Sequence, residues 1–568
     1  MSGDFDTSVE SGQIPGILIL ENNKTYGRTE NKRLLYKCIP NNKRLPEFLV
    51  PYDIKLGFSK NITNKYVVFK FDSWTTDYDF WRRNKVPETK GGMREDEVRT
   101  HPPPRGLLSE VLGDITNLEA FYEYKLYCRN LKTTPINKEV AKKIRKITQD
   151  HTEGGMREDT TGEIENHTDR FVFTIDPKNS QDFDDGFSIM DKSDESNPNT
   201  RITIYIANVS LQLETLKLWD VFCDQVSSIY LPDRKRPMFP TGLSNIFSLI
   251  ENTTKIAFCL DIVISPSNMI LNTRFYNSII KVKKNFVYEE PTLLKNTHYK
   301  KLFHIAKMLN DKITDSHDLV SHFMIFTNTQ CAMELYRKQI GIYRSLMMSG
   351  TSPPELGLMQ PTAASQIIDS DPTMKKETKQ FMQNWISKHG QYVLYQDSPD
   401  LMRPDFVPPP KVVIEHSTLK TDPYIHITSP IRRLVDLLNQ MMFLKSTTTI
   451  SEEAQQFLDK CLQQIDIINE KMKSIAKVER ECEIMRKCIT NPAILENIYD
   501  AYIICRRELV TEELGIIKYK YTLYIENEKI ILTMKSEEPR ELFKKYQVKL
   551  YKIESYGIAS KIKIRFVN

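Results

Sequence analysis

No stretch of the chain stays apolar over the ~18 residues that a membrane-spanning helix requires, so no membrane partner is expected. The first residues, MSGDFDTSVESG, are acidic and polar and do not read as a secretory signal. Nine cysteines are scattered singly with no C-x-x-C pair, which argues against a disulfide framework and a cysteine zinc site. An intracellular, cytoplasmic protein with reduced thiols is the simplest expectation. A net charge of +5 on 568 residues is too small for polybasic adhesion. The basic residues gather instead in short clusters: KKIRK at 142–146, DRKR at 233–236, IRR at 431–433 and SKIKIRF at 560–566. Basic stripes on a near-neutral body suit a nucleic-acid channel, because phosphate contacts dominate affinity, although each cluster alone is more often a solvated face. With 40% hydrophobic and 27% charged residues the composition is that of an ordinary globular protein. The length predicts roughly three to five domains.

The most informative stretch is FVFTIDPKNSQDFDDGFSIM, residues 171–190. Asp176, Asp182, Asp184 and Asp185 place four carboxylates in ten positions. Their β-branched and aromatic flanks read as strands, and Pro177–Ser180 are mostly turn formers. The acids are therefore expected where one strand ends and the next begins. Four carboxylates so close cannot all ionise cheaply unless a cation joins them. An all-oxygen donor set without His or Cys favours a hard ion, Mg²⁺ or in its place Mn²⁺. A calcium EF-hand loop would need acids where Gln181 and Phe183 stand, so that reading fails.

IDPKNSQDFDDGFSI resembles the signature of the RNB exoribonucleases, the family of ribonuclease II, ribonuclease R and the exosome catalytic subunit. Gly186 stands where that family usually has Ala. The likeness continues through IYLPDRKRPMFPTGLSNIFSL and is sharp again at YIHITSPIRRLVDLLNQMM, residues 424–442. In the latter, Ser429 predicts a helix cap and Pro430 its first turn, with Arg432 and Arg433 in that turn. Free N–H groups beside two guanidiniums make an anion site. The resemblance implies that Arg432 grips the scissile phosphate and that Arg433 supports it. It implies that Tyr230 stacks on the 3′-terminal base, with Tyr343 as the second aromatic of that stack. Glu479 lies on the apolar stripe Ile465, Ile468, Met472, Ile475, Cys482 of a helix expected over about 451–488. It matches the glutamate of the family's A-E-R phrase near the catalytic centre. Asn208 and the pair Gln440–Met441 depart from the family's Asp and His-Arg.

As a whole, the resemblance implies an α+β multidomain protein, with OB-like, cold-shock-type β-barrels flanking a mixed α/β RNB catalytic domain. The expected division is a disordered 1–12, barrels at 13–90 and 91–165, the RNB domain at 166–505 and a shortened C-terminal barrel at 506–568. Pro104, Gly106, Leu112 and Gly113 resemble the P-x-G-x-x-x-x-x-L-G phrase of the family's second barrel. The implied activity is processive 3′→5′ hydrolysis of single-stranded RNA to nucleoside 5′-monophosphates by a two-metal-type mechanism. Asp176, Asp182 and Asp185 would hold Mg²⁺, with Asp184 completing the set and acting in catalysis with Arg432 and Glu479. A monomer is expected. The alternative is a catalytically silent RNA-binding protein on the same scaffold. The repeated GGMRED, at 91–96 and 154–159, has no reading.

Overall fold

The computed structural model describes residues 12–54, 62–74, 103–131, 141–142, 145–146, 164–191, 199–219, 225–345, 367–372, 374–388, 391–395, 423–510, 517–555 and 558–567. The short apolar runs of the first 75 residues form β1 (Ile14–Leu18), β2 (Leu35–Pro40), β3 (Phe48–Pro51) and β4 (Lys65–Ser73). With β5 (Arg105–Asp114) they close a barrel in the order β1-β2-β3-β5-β4. Leu18, Tyr36, Val50, Val67 and Phe69 fill it and are fully buried. Two glycines fit β5 to this barrel. A Cβ at Gly106 would come within 2.7 Å of the Phe69 ring, and Gly113 adopts a φ of +138° that non-glycine residues rarely reach.

That fifth strand corrects the expected domain division. Arg105–Asp114 falls within the second barrel expected over 91–165, but it completes the first by pairing antiparallel with β4. Among the described residues, the next element is a helix, α1 (Leu118–Tyr127), capped by Asn117, whose side chain accepts the N–H groups of Glu119 and Ala120. Both GGMRED copies lie outside the described residues.

The central unit is a second closed barrel. Its strands are β6 (Ile164–Asp176), β7 (Asp185–Asp191) and β8 (Thr200–Ala207), followed by helix α2 (Val209–Leu216), the small hairpin of β9 (Ile229–Tyr230) and β10 (Lys235–Arg236), then β11 (Thr254–Ile264) and β12 (Ile270–Val287). The order is β11-β12-β6-β7-β8, with β12 and β6 parallel and Asp176 opposite Val287. One face of these strands is apolar and packs on helices: Phe187 meets Phe323 of α3 (Ser316–Arg337), and Phe258 meets Phe443 of α4 (Leu434–Lys445). Between those helices lies a two-stranded ribbon, β13 (Ile342–Ser345) with β14 (Gln391–Leu394).

The helix expected over 451–488 is two helices, Glu452–Leu462 and α5 (Ile465–Thr490), with Gln463 and Gln464 between them. Ile465, Ile468, Ile475 and Cys482 are buried as the stripe predicts. The C-terminal sheet begins before residue 506: β15 (Ile498–Val510), β16 (Ile517–Ile525), β17 (Ile530–Ser536), β18 (Lys545–Ser555) and β19 (Ile558–Phe566) lie in the order β17-β16-β15-β18-β19. Ile503, Tyr521, Leu523, Val548 and Leu550 form its own core. Among the described residues no helix is long and apolar enough to cross a membrane.

Candidate active site

β6 ends on Asp176 and β7 begins on Asp185, so the sheet brings both ends of the acidic stretch together, as the flanking patterns predict. The backbone between them is pinned. Phe183 N–H donates to Ser248 Oγ (2.8 Å), Leu249 N–H donates to Phe183 O (3.0 Å), and Ala207 N–H donates to Asp184 O (2.8 Å). Asp176, Asp182 and Asp184 are buried.

Each acid is held differently. Asp184 Oδ1 accepts the Ile431 N–H (3.0 Å) and its Oδ2 accepts Arg432 Nε (3.0 Å). Asp182 Oδ2 is in contact with the Lys235 ammonium. Asp182 Oδ1, Asp176 Oδ2 and Asp185 Oδ2 are buried with no hydrogen-bond partner. Burial, reinforced by neighbouring carboxylates, pushes Asp176 up to about 7 and Asp184 up to about 6, with Arg432 opposing the rise in both. The Asp185 carboxyl is driven well above the ordinary range by burial and by Asp176 and Asp184. Such a cluster attracts a cation. Among the described residues, however, no three Asp, Glu, His or Cys side chains converge closely enough to hold an ion as they stand. Asp182 is paired with Lys235 and Asp184 with Arg432. The orphaned oxygens are all hard donors and fit Mg²⁺ or Mn²⁺.

The turn carrying the arginines differs from the expected helix start. α4 begins only at Leu434, with Arg433 as its N-cap, and Ser429–Arg432 form a separate turn in which Ser429 O accepts the Arg433 N–H (3.0 Å). Ser429 is not the cap: its Oγ accepts Arg432 Nη2 (2.7 Å) and no helix N–H, while its own N–H donates to Asp436 Oδ1 (2.7 Å) in the helix's first turn. The same Asp436 oxygen accepts Arg433 Nη2 (2.9 Å), so Arg433 is tied to the turn and not to the acids. Arg432 braces itself on Ser429 Oγ (2.7 Å) and leaves 42% of its side chain exposed beside the cluster.

Tyr230 is placed by that same turn. Ser228 N–H donates to Arg432 O (3.0 Å) and Leu434 N–H donates to Val226 O (3.0 Å), which lays the segment before Tyr230 along the arginines. Its ring is half exposed, as a base-stacking surface requires. Glu479, on α5, accepts the Tyr230 N–H (2.7 Å) and so holds this strand instead of reaching an acid. Tyr343 lies elsewhere. Only 2% of it is exposed, and its hydroxyl donates to Ile340 O (2.8 Å), so its ring offers no face to a base.

Several site residues went unread in the sequence. Lys235 was visible only as part of a basic cluster, and Asp436 lay inside a matched phrase without a role. Asn328, which the sequence places at the Asn of the family's F-M-x-x-A-N helix phrase but without a role, donates through Nδ2 to Tyr424 Oη (3.0 Å) while its Oδ1 accepts the Ile427 N–H (3.0 Å), which fixes the approach to the turn. Tyr288, whose N–H donates to Asp176 O (3.1 Å), stacks on His317 at 3.7 Å beside the acids. No periodicity marks it.

A family model described as the RNB domain matches residues 164–302 and 291–449. The chain belongs to the RNB family. Among curated RNB relatives, Ribonuclease R of Chlamydia trachomatis is 22% identical over 465 residues, covering 72% of this chain and 63% of the relative. Ribonuclease R of Chlamydia muridarum is 22% identical over 73% of this chain and 64% of its own length, so the chain spans less than two thirds of either relative. Among solved structures, Mycoplasma genitalium RNase R in complex with ribose methylated single-stranded RNA superposes with a TM-score of 0.61 at 16% identity, covering 98% of this chain and 89% of that one. Yeast Ssd1, a pseudonuclease, superposes with a TM-score of 0.51 at 12% identity, covering 94% of this chain and 68% of that one. At such identities the likeness establishes the fold alone: OB-type units, a closed barrel before and a five-stranded sheet after, flanking an RNB domain.

Proposed function

We propose that the chain is a Mg²⁺-dependent 3′→5′ exoribonuclease that degrades single-stranded RNA processively to nucleoside 5′-monophosphates. One observation carries the reading: all four acids of the signature lie in one buried site beside Arg432, and three of their oxygens lack partners. Asp176, Asp182 and Asp185 would hold one or two ions, with Asp184 alongside. When bound, the ion supplies an activated water and neutralises charge on the phosphate. The protein's own part is positioning. Arg432, anchored through Nε on Asp184, turns the exposed part of its guanidinium to the scissile phosphate. Tyr230 stacks on the terminal base without reading its identity, and Glu479 fixes the backbone beneath it.

The second reading, a silent RNA-binding protein, draws on the diversion of Asp182 and Asp184 to Lys235 and Arg432 and on the shared fold of a pseudonuclease. A 5′-labelled single-stranded RNA with Mg²⁺ separates the two. Wild type should produce a ladder shrinking from the 3′ end, while Asp184→Asn should bind RNA and cut it on the order of 10³-fold more slowly. Wild-type protein that binds RNA but leaves it intact with Mg²⁺ and with Mn²⁺ would give the case to the silent scaffold.

A further inference from the structure

We propose that Lys235 is a built-in cation that holds Asp182 in place of a second metal ion, so that the RNA-free protein takes up one divalent ion and admits another only when Lys235 leaves. This rests on the metal-dependent reading above and deepens it.

The charge pattern leads there first. Four carboxylates face two cations: Arg432 sits on Asp184 and Lys235 on Asp182. Two formal negative charges remain, which one divalent ion neutralises. Among the described residues neither Asp176 nor Asp185 has an ion-pair partner, and each presents a buried oxygen without a hydrogen bond. The first ion therefore belongs between these two.

Asp182 is different because its partner is part of the chain. The Lys235 side chain is 16% exposed and that of Asp182 5%, so the pair is shielded and is not one of the screened surface pairs that contribute little. A lysine suits a temporary occupant. Its ammonium is a compact charge on a flexible four-carbon stem, whereas a guanidinium would lock in a fork. Its backbone also matters. Lys235 pairs directly with Tyr230 across the β9–β10 hairpin, so RNA stacked on Tyr230 brings its phosphates to the same two-residue ladder. A phosphate offers Lys235 another anion at the moment when Asp182 is needed for metal.

The test counts Mn²⁺ ions bound to the full chain without RNA, by electron paramagnetic resonance of free Mn²⁺ and by calorimetry. Wild type and Lys235→Arg should each bind one ion, and Lys235→Met should bind two. Asp182→Asn, which removes the lysine's anchor, should still bind one ion, and it keeps the question decidable if Lys235→Met fails to fold. A Lys235→Met protein that titrates like wild type, a wild type that binds two ions, or loss of the first ion in Asp182→Asn each overturns the proposal alone. If neither wild type nor Lys235→Met binds Mn²⁺, it falls together with the metal-dependent reading.

Discussion

The acid cluster has two walls. One is the turn at 429–433, where backbone and side chains interlock: Ile431 N–H and Arg432 both reach Asp184, and Asp436 ties Ser429 to Arg433. The other is the hairpin of β9 and β10, two residues per strand, which meets the cluster through one lysine and offers a half-exposed tyrosine. A buried carboxylate that accepts a backbone N–H cannot move without orphaning that donor, and the penalty holds it in place. A side-chain ion pair on a two-residue ladder has no such lock. The first wall therefore fixes geometry, and on the proposed reading the second is the one that yields to substrate and metal.

The strongest way to break this contrast is to split the two arginines. Arg432→Ala should lower the cleavage rate by about 10²- to 10³-fold, the usual effect of removing a donor that meets developing charge. Arg433→Ala should act mainly on folding. It leaves Asp436, 0% exposed as a side chain, without its guanidinium, at a cost of about 2–4 kcal/mol. Urea titration should record that loss, while cleavage per folded molecule falls far less than in Arg432→Ala. Equal rate losses in both would mean that the turn acts as one unit and that the division of labour is wrong.

A smaller effect separates the tyrosines. Tyr230→Ala removes a stacking face worth about 1–3 kcal/mol, so affinity for single-stranded RNA should fall roughly tenfold with the melting temperature unchanged. Tyr343→Ala should instead open a cavity under β13 and cost about 3–5 kcal/mol. If RNA affinity follows Tyr343 and ignores Tyr230, the hairpin is not the substrate wall.

How much of this could be read in advance depended on how local each cause is. The acid-bearing hairpin was legible because strand pattern and turn residues sit within twenty consecutive positions. The first four strands were legible for the same reason. The fifth was not, since nothing near Arg105 says that it returns to pair with β4. Ser429 carries a real capping signal, but its Oγ accepts the Arg432 guanidinium and no helix N–H, and the helix starts at Leu434. Tyr343 and Tyr230 look alike as residues. Only packing buries one beneath β13 and leaves the other half open. Lys235 read as surface charge because its partner lies 53 positions away.

The mildest effect tests the acid cluster between the walls. Asp184, at about 6, and Asp176, at about 7, hold protons in the metal-free fold at a pH where an unfolded chain has released them, since an unperturbed aspartate titrates near pH ~3.9. Between about pH 4 and pH 7 the native state binds more protons than the unfolded one, so these groups make metal-free stability fall as pH rises. On the proposed metal-dependent reading, these carboxylates would exchange their protons for a divalent ion and the penalty would vanish. The rise in melting temperature produced by Mg²⁺ should therefore be near zero at pH 5 and grow to roughly 2–4 °C by pH 7.5. Scanning calorimetry with EDTA or with Mg²⁺ at each pH measures it. An increment that stays constant, or shrinks towards pH 7.5, would mean that the buried acids do not exchange protons for metal and that the cluster is held by Arg432 and Lys235 alone.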